Sequence, residues 1–353
     1  MVVFSHPEFR DHEEVRFLHD ARSGLRAVIA IHSTLLGPAL GGCRMWPYAS
    51  EAEALSDALR LSWAMTLKAA MAGLRLGGGK SVILGDPKRD KTPELLRAFG
   101  REVERMGGRY YTGEDVGMSP EDMAVAGEAT RYVLGKPGQG SSGDPSPFTA
   151  RGVLAGIEVA VRHRLGRGEL CGLKVAVQGL GHVGMALCAL LHERGARLWV
   201  ADLDRDKVAD ARRRFGAEVV PPERVQALDV DVFSPCALGG VLNAETIPEL
   251  GCRVVAGSAN NQLATPADGR RLHERGILYA PDYVINAGGL INIAQELHPE
   301  GYDRARALAA LEVIPRRLQA VFRRAEAEGR PPAEVADVMA AEMLSAAARS
   351  RAA

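Results

Sequence analysis

At 353 residues, with 46% hydrophobic and 25% charged side chains, the chain is long enough for two domains that each bury a core. Lys+Arg and Asp+Glu balance at 44 each, which argues against a nucleic-acid partner or a general membrane-surface role. No apolar run reaches the ~18 residues of a spanning helix and the N-terminus lacks a signal-peptide core. The five cysteines are scattered and never spaced Cys-x-x-Cys, which points to a reducing, cytoplasmic setting with no structural zinc and no other metal site.

Glu14 to Asp20 and Leu25 to Ser33 are strand-like runs on either side of Ala-Arg-Ser-Gly and predict a hairpin. In the next stretch, Leu36-Gly-Pro-Ala-Leu40-Gly41-Gly42-Cys-Arg-Met-Trp, the glycines suggest backbone brought close to something. A helix is predicted from about Glu51 to Ala72, carrying Met65 and a buried-looking Lys68 and stopping at Gly73 as a C′ glycine. Leu76-Gly-Gly-Gly-Lys80 follows as a glycine turn, and the apolar run Ser81 to Leu84 reads as a strand.

Two lysines brought into one cleft depress the pKa of one of them, and a neutral lysine can act as a general base. The rival reading is a phosphate-binding P-loop. It fails because its first glycine falls on Leu74 and its flanks are reversed, helix before and strand after.

Thr92-Pro93 and Ser119-Pro120 each pair a cap residue with a first-turn proline and open further helices. Between them a short strand from Arg109 runs through Gly113 into an acidic turn. Asp115 there is a candidate proton donor or acceptor opposite the lysines, although an acidic residue after a strand is commonly a turn former. The Gly/Ser/Pro-rich segment 135–147 is the strongest composition break. It divides a first domain, 1–140, from a second, 141–330, whose first helix runs from about Thr149 to His163.

In the second domain the strand Lys174 to Gln178 leads directly into Gly179-Leu180-Gly181-His182-Val183-Gly184 and a helix from Met185. A second strand, Arg197 to Ala201, ends at Asp202. Strand, glycine turn, helix and an acidic residue about 20 positions on make up the dinucleotide fingerprint. Asp202 would accept from the ribose hydroxyls and meet a 2′-phosphate with like charge, which favours NAD over NADP. Leu228 to Pro235 and Arg253 to Gly257 continue the strand series, and Ser234-Pro-Cys-Ala-Leu and Ser258-Ala-Asn-Asn lie at their ligand-binding ends. The segment from Tyr279 ends in a helix, and two long Ala/Arg/Glu-rich helices, broken at Pro331-Pro332, close the chain. The last of these is expected to pack back on the first domain.

Taken together, Leu40-Gly-Gly-Cys-Arg-Met, Lys68, Leu76-Gly-Gly-Gly-Lys80, Glu114-Asp115-Val-Gly, Ser146-Pro-Phe-Thr149-Ala, the 179–184 turn and Ala280-Pro-Asp-Tyr-Val-Ile-Asn-Ala-Gly-Gly resemble the amino-acid dehydrogenase family of glutamate, leucine, phenylalanine and valine dehydrogenases. The likeness covers nearly the whole chain and is strongest to the leucine type. It implies an α/β fold of two domains separated by a cleft, the second of Rossmann type. It also implies NAD-dependent oxidative deamination of a branched-chain or apolar L-amino acid to the 2-oxo acid and ammonia, in a homo-oligomer.

Carried over, the resemblance makes Lys80 the general base and Asp115 a proton relay, with Lys68, Asn261 and the backbone near Gly41 holding the substrate carboxylate. It lines the side-chain pocket with Leu40, Met65, Gly113, Leu290, Ile291 and Ala294. The cofactor is left to the 179–184 turn, Asp202, Leu203, Cys236, Ala237 and Ala259, with Thr149, Asn260 and Asn286 placing the nicotinamide. Gly113 stands where leucine-type members have alanine and opens room toward an aromatic ring, so phenylalanine is the alternative substrate. A 2-hydroxy-acid dehydrogenase would instead use a histidine base with an arginine clamp. A catalytically silent amino-acid-binding subunit is the reading from another class, disfavoured by retention of Lys68, Lys80 and Asp115.

Overall fold

A computed structural model describes residues 3–352. The chain divides into two compact units. One comprises Met1–Gly143, Ile293–Asp303 and Ala340–Ala353, and the other Asp144–Asn292 and Arg304–Met339.

The first unit is built on a five-stranded mixed sheet from β1 (Glu14–Asp20), β2 (Leu25–Ser33), β3 (Ala39–Trp46), β4 (Gly77–Leu84) and β5 (Tyr110–Glu114), in the order β1-β2-β4-β3-β5. The hairpin β1–β2 and the pair β2–β4 are antiparallel, whereas β3 runs parallel to both β4 and β5. Helix α1 (Glu51–Met71) covers one face, where Ala54, Leu55, Ala58 and Leu59 bury Val28, Ala30 and Val82. Helices α2 (Pro93–Glu104) and α3 (Pro120–Ala126) cover the other, with Leu95, Leu96, Phe99 and Met123 against Ile29, Ile31, Met45 and Ile83. Because both faces are covered, β4 is buried along almost its whole length.

The three helices start as their sequences predict. Ser50, Thr92 and Ser119 each accept a bond from the N3 backbone N–H, and Gly73 ends α1 at φ +67°. Polar bonds also tie α1 to the segment before β1, where His12 reaches the Leu59 carbonyl and Ser62, and to β2, where His32 bonds Thr66. Burial and the neighbouring His12 push the His32 imidazole down to about 4.

The second unit holds a six-stranded sheet, all parallel: β6 (Lys174–Gln178), β7 (Arg197–Ala201), β8 (Glu218–Val219), β9 (Val232–Pro235), β10 (Val254–Val255) and β11 (Leu278–Tyr279). Its order, β11-β10-β9-β6-β7-β8, is the doubly wound arrangement of dinucleotide-binding folds, with the topological switch between β6 and β9. Around it lie α4 (Ser146–Leu165), α5 (His182–Glu193), α6 (Arg205–Phe215), α7 (Pro266–Glu274) and α8 (Asp282–Ile285). They are followed by α9 (Gly288–Ala294), α10 (Arg304–Ala310), α11 (Val313–Glu328) and α12 (Pro332–Ala352).

Several elements differ from expectation. The glycines before Lys80 form no turn: they are the first residues of β4. A Cβ at Gly78 would stand 2.2 Å from the Thr66 backbone nitrogen, so the missing side chains let α1 press onto the strand. Helix α5 begins at His182 rather than Met185, because Gly181 serves as its N-cap. The strands expected over 228–235 and 253–257 pair only over Val232–Pro235 and Val254–Val255. The closing region is three helices, not two, since α10 and α11 part at Leu311–Glu312.

Candidate active site

In the first unit the site is assembled from neighbouring strand ends. Lys80 pairs with Ala30 on one side of β4, and Leu40 on β3 pairs with Gly78. By the two-residue period, Gly78, Lys80 and Val82 share the face that α1 covers. Asp115 follows β5 directly and reaches Lys80 Nζ with Oδ1 at 3.0 Å. Only 6% of the Lys80 side chain is exposed. Gly42 permits this approach, since a Cβ there would stand 2.8 Å from the Asp115 Cβ.

The other Asp115 oxygen accepts from Arg44 Nε at 2.7 Å. Burial alone would push the Asp115 carboxyl up, but Lys80 and Arg44 outweigh it and hold the group at about 2. Asp115 is therefore an anion at neutral pH. Arg44 also donates to Asp57 Oδ2 at 2.8 Å, and the same oxygen accepts from the Tyr48 hydroxyl at 2.7 Å.

The remaining expected substrate residues are distributed as follows. Lys68 is half-buried in the last turn of α1, Met65 is half-buried one turn earlier, and Leu40 is buried at 3% exposure. Gly41 is buried and its carbonyl accepts from the Tyr110 hydroxyl at 2.8 Å. A Cβ on Gly113 would meet Ile293 Cδ1 at 3.2 Å, so the volume that glycine releases is already filled. Leu290 is 9% exposed, Ile291 has no exposed surface and Ala294 is half-buried. Asn261 belongs to the second unit, is exposed, and adopts φ +52°.

In the second unit the 179–184 turn joins the end of β6 to the start of α5. Gly179 has φ +100°, and a Cβ there would lie 2.7 Å from that of Ala237, which brings the end of β9 beside the turn. A Cβ at Gly181, by contrast, would meet nothing within 4 Å. The N-terminus of α5 beside that glycine has no side-chain cap bond, which leaves its first N–H groups without a side-chain acceptor. Leu180 is buried, and His182 is exposed with Val183 half-buried behind it. Asp202 accepts from Leu180 N at 2.6 Å and from Asp204 N at 2.8 Å, which locks the carboxylate to the turn with lone pairs to spare. Leu203 next to it is 89% exposed, an unusual position for an apolar side chain.

Asn286 is 4% exposed and donates to the Ser258 carbonyl at 3.1 Å and to Asn260 Oδ1 at 2.8 Å. Its own Oδ1 is buried without a partner, an acceptor set up for a donor from outside the chain. Thr149 lies against this segment, with its Oγ1 2.9 Å from where a Cβ on Gly289 would be. Cys236 donates its backbone N–H to the Gln178 carbonyl at 2.7 Å, and Ala259 donates to that of Pro235 at 3.0 Å. An open glycine cradle at a helix N-terminus and an orphaned buried amide oxygen at the other end suit a dinucleotide. Among the described residues no His/Cys/Asp/Glu group could hold a metal, and no helix is long and apolar enough to cross a membrane.

Two sequence profiles match the chain: "Glu/Leu/Phe/Val dehydrogenase, dimerisation domain" over residues 12–132 and "Glutamate/Leucine/Phenylalanine/Valine dehydrogenase" over 200–351. The leucine dehydrogenase of Geobacillus stearothermophilus is 51% identical over 99% of this chain and 95% of its own. The chain belongs to the Glu/Leu/Phe/Val dehydrogenase family. This bears out the expected family, a family of pyridine-nucleotide-dependent dehydrogenases acting on small molecules, and the α/β class with a Rossmann-type second part.

Among solved structures, the L-tryptophan dehydrogenase of Nostoc punctiforme superposes with TM-score 0.85 at 45% identity, covering 96% of this chain and 97% of that one. The hetero-hexameric glutamate dehydrogenase of Thermus thermophilus, in a form described as Leu-bound, gives 0.79 at 27% identity over 96% and 90%.

Within this member of the family, sequence reasoning missed Arg44, Asp57 and Glu296. Arg44 was open to inference, because it lies two residues past Gly42 on the same face of β3. Glu296 was not: it accepts from the backbone of Gly135 and Ser142, more than 150 residues away, and fastens the glycine-rich segment. Leu238, 81% exposed just past Ala237, closes the Ser234-Pro-Cys-Ala-Leu stretch that the sequence places at a ligand-binding strand end.

Proposed function

We propose that the protein catalyses the reversible, NAD-dependent oxidative deamination of a branched-chain L-amino acid, with leucine as the reference substrate. The observation that carries the reading is the buried Lys80–Asp115 pair at 3.0 Å, in a chain 51% identical to a leucine dehydrogenase. Leu40 beside it is apolar, and a substrate carboxylate placed there would be desolvated without a partner, a cost of roughly several kcal/mol that disfavours glutamate.

The cofactor would be held by the 179–184 turn and the α5 N-terminus at its phosphates, by Asp202 and Leu203 at the adenosine, and by Thr149, Asn260 and Asn286 at the carboxamide. Cys236, Ala237 and Ala259 would form the adjoining strand-end surface. When bound, the nicotinamide supplies the hydride acceptor for the amino acid's α-carbon.

The protein's own residues supply the remaining steps. Lys68, with Asn261 and the Gly41 backbone, holds the substrate carboxylate. Lys80 in its neutral form takes a proton from the water that adds to the iminium carbon, giving a carbinolamine. That proton passes by way of Asp115 to the amino nitrogen, which leaves as ammonia, while Lys80, neutral again, takes the carbinolamine hydroxyl proton as the carbonyl forms. Asp115 carries protons to and from the amino group. Met65, Gly113, Leu290, Ile291 and Ala294 contribute to the side-chain pocket. Support for a homo-oligomer comes from the dimerisation-domain profile over residues 12–132.

The test is a panel of amino acids assayed for NADH production at alkaline pH. The expected order is leucine, valine and isoleucine well above phenylalanine, with glutamate near background. Dominant glutamate turnover would overturn the pocket argument, and no turnover with any amino acid would overturn the reading itself.

A further inference from the structure

A chain of charges runs away from Lys80 that the proposed chemistry does not use. It passes from Lys80 Nζ to Asp115 Oδ1 at 3.0 Å, then from Asp115 Oδ2 to Arg44 Nε at 2.7 Å. From Arg44 it continues to Asp57 Oδ2 at 2.8 Å. Asp57 is anchored in turn by the Tyr48 hydroxyl at 2.7 Å and by Arg60 on its second oxygen at 2.7 Å. Three elements contribute: Lys80 from β4, Arg44 from β3 and Asp57 from α1, with Asp115 following β5. Every member lies in the first unit.

Asp57 and Lys68 are 11 residues apart on α1, three turns at about 100° per residue, and so lie on one face of it. The helix that carries the proposed carboxylate-binding lysine therefore also anchors Arg44.

We infer that Arg44, held by Asp57, is a positioning residue that holds Asp115 as an anion at rest, with one oxygen committed and the other left on the Lys80 side to exchange protons. The inference rests on the reading of Lys80 and Asp115 as the proton-handling pair. The reasoning is geometric. A carboxylate beside one flexible lysine can rotate and can share its proton. With Oδ2 bound to a planar guanidinium, itself braced through a second nitrogen, rotation is blocked and only Oδ1 faces the ammonium. Two cations on one carboxylate also oppose its protonation, in line with the low value of its pKa. Lysine at position 44 could supply the charge but not the two directed bonds.

The charged groups bearing on Asp115 are Lys80 and Arg44 directly, and Asp57 through Arg44. Removing the Arg44 charge makes protons in the cluster harder to lose. The acid limb of the kcat/KM profile then moves to higher pH.

The experiment compares Arg44→Gln, Arg44→Lys and Asp57→Asn with the unmodified protein in amino-acid oxidation across pH. NADH binding and thermal melting serve as checks on folding. For Arg44→Gln we expect kcat at least tenfold lower, KM for the amino acid within about threefold, and the acid limb raised by about one pH unit. Arg44→Lys should keep the limb near its original place while kcat stays low, and Asp57→Asn, which removes a negative charge, should lower kcat by a smaller factor without raising the limb.

An unmoved acid limb in Arg44→Gln, or a KM effect with kcat unchanged, overturns the inference. If Arg44→Gln melts too low to assay, the loss of kcat in Arg44→Lys and Asp57→Asn carries the test, and full kcat in both overturns the inference. Titration of the Asp115 carboxyl by NMR in protein labelled at aspartate separates this idea from the reading beneath it. A rise in its pKa on Arg44→Gln supports the coupling even if no amino acid is oxidised, and no rise sinks it.

Discussion

The two units prepare their sites in opposite ways. In the first, every ionised group around Lys80 is already paired: Asp115 takes Lys80 and Arg44, and Asp57 takes Arg44, Tyr48 and Arg60. In the second, the groups facing the proposed ligand are, Asp202 apart, backbone and neutral polar atoms, and some are left unpaired. Gly181 faces open space, α5 starts without a side-chain cap, and Asn286 Oδ1 has no donor.

The contrast follows from the cost of an empty site. A buried charge without a partner costs several kcal/mol, so a lysine and carboxylate that must be buried are built as a neutralised set. An unpaired neutral acceptor costs only about 1–3 kcal/mol, which a ligand can repay on binding. Catalysis is thus prepared by charge pairing and cofactor binding by vacant hydrogen-bonding capacity, and each site is broken by a different kind of substitution.

The largest effect is expected at the paired site. Lys80→Ala removes the proposed base but leaves Asp115 its bond to Arg44, so no bare buried anion results and the chain should fold. Turnover should fall about 10³-fold or more, on the order of 4 kcal/mol of barrier, within the range for removing a general base. NADH affinity should stay within about twofold, since the dinucleotide turn belongs to the other unit. Stopped-flow NADH binding alongside steady-state kinetics checks this. Near-normal deamination by folded Lys80→Ala would remove Lys80 from the mechanism.

Legibility in the sequence divides along the same line. The second unit could be read locally: β6, the glycine turn, α5, β7 and Asp202 lie within 30 consecutive residues, and the turn's geometry follows from its glycines. The caps at Ser119 and Thr92 were legible for the same reason. In the first unit the residues were legible but not their surroundings. The three glycines before Lys80 look like a turn in sequence, because the reason for them is α1 pressing on Gly78 from outside the segment. Arg44 meets Asp115 across 71 positions, and only the pairing of β3 with β5 brings them together. The short β8, β10 and β11 run only two residues each, too few for any periodicity to mark their ends.

An intermediate effect is expected at the cofactor end. Asp202→Asn retains an acceptor for one of the two backbone donors, so the turn should hold, while the negative charge that disfavours a 2′-phosphate is lost. The NAD-to-NADP ratio of kcat/KM should fall about tenfold, mostly through better NADP use. Equal efficiency with both cofactors in the unmodified protein would instead show that Arg205 outweighs the carboxylate.

The smallest effect is the most local, and it sharpens the substrate assignment. Gly113, taken alone, makes room for an aromatic side chain. In the structure, Ile293 Cδ1 lies 3.2 Å from the position of a Cβ on Gly113 and 3.3 Å from that of a Cβ on Gly135, so one methyl group fills the gap between two glycines. Ile293→Val deletes that one carbon. If the gap borders the proposed side-chain pocket, its reopening should favour a ring by about 1 kcal/mol, the low end of what a single methylene contributes to discrimination. The phenylalanine-to-leucine ratio of kcat/KM should then rise about fivefold, with leucine kinetics nearly unchanged. Gly113→Ala should act in reverse, since its methyl must displace Ile293 by a few tenths of an ångström. Steady-state kinetics on both substrates for both variants distinguish the cases. Opposite shifts identify Ile293 as the plug that keeps a glycine-bearing pocket aliphatic. No shift in either variant would mean that the gap lies away from the substrate.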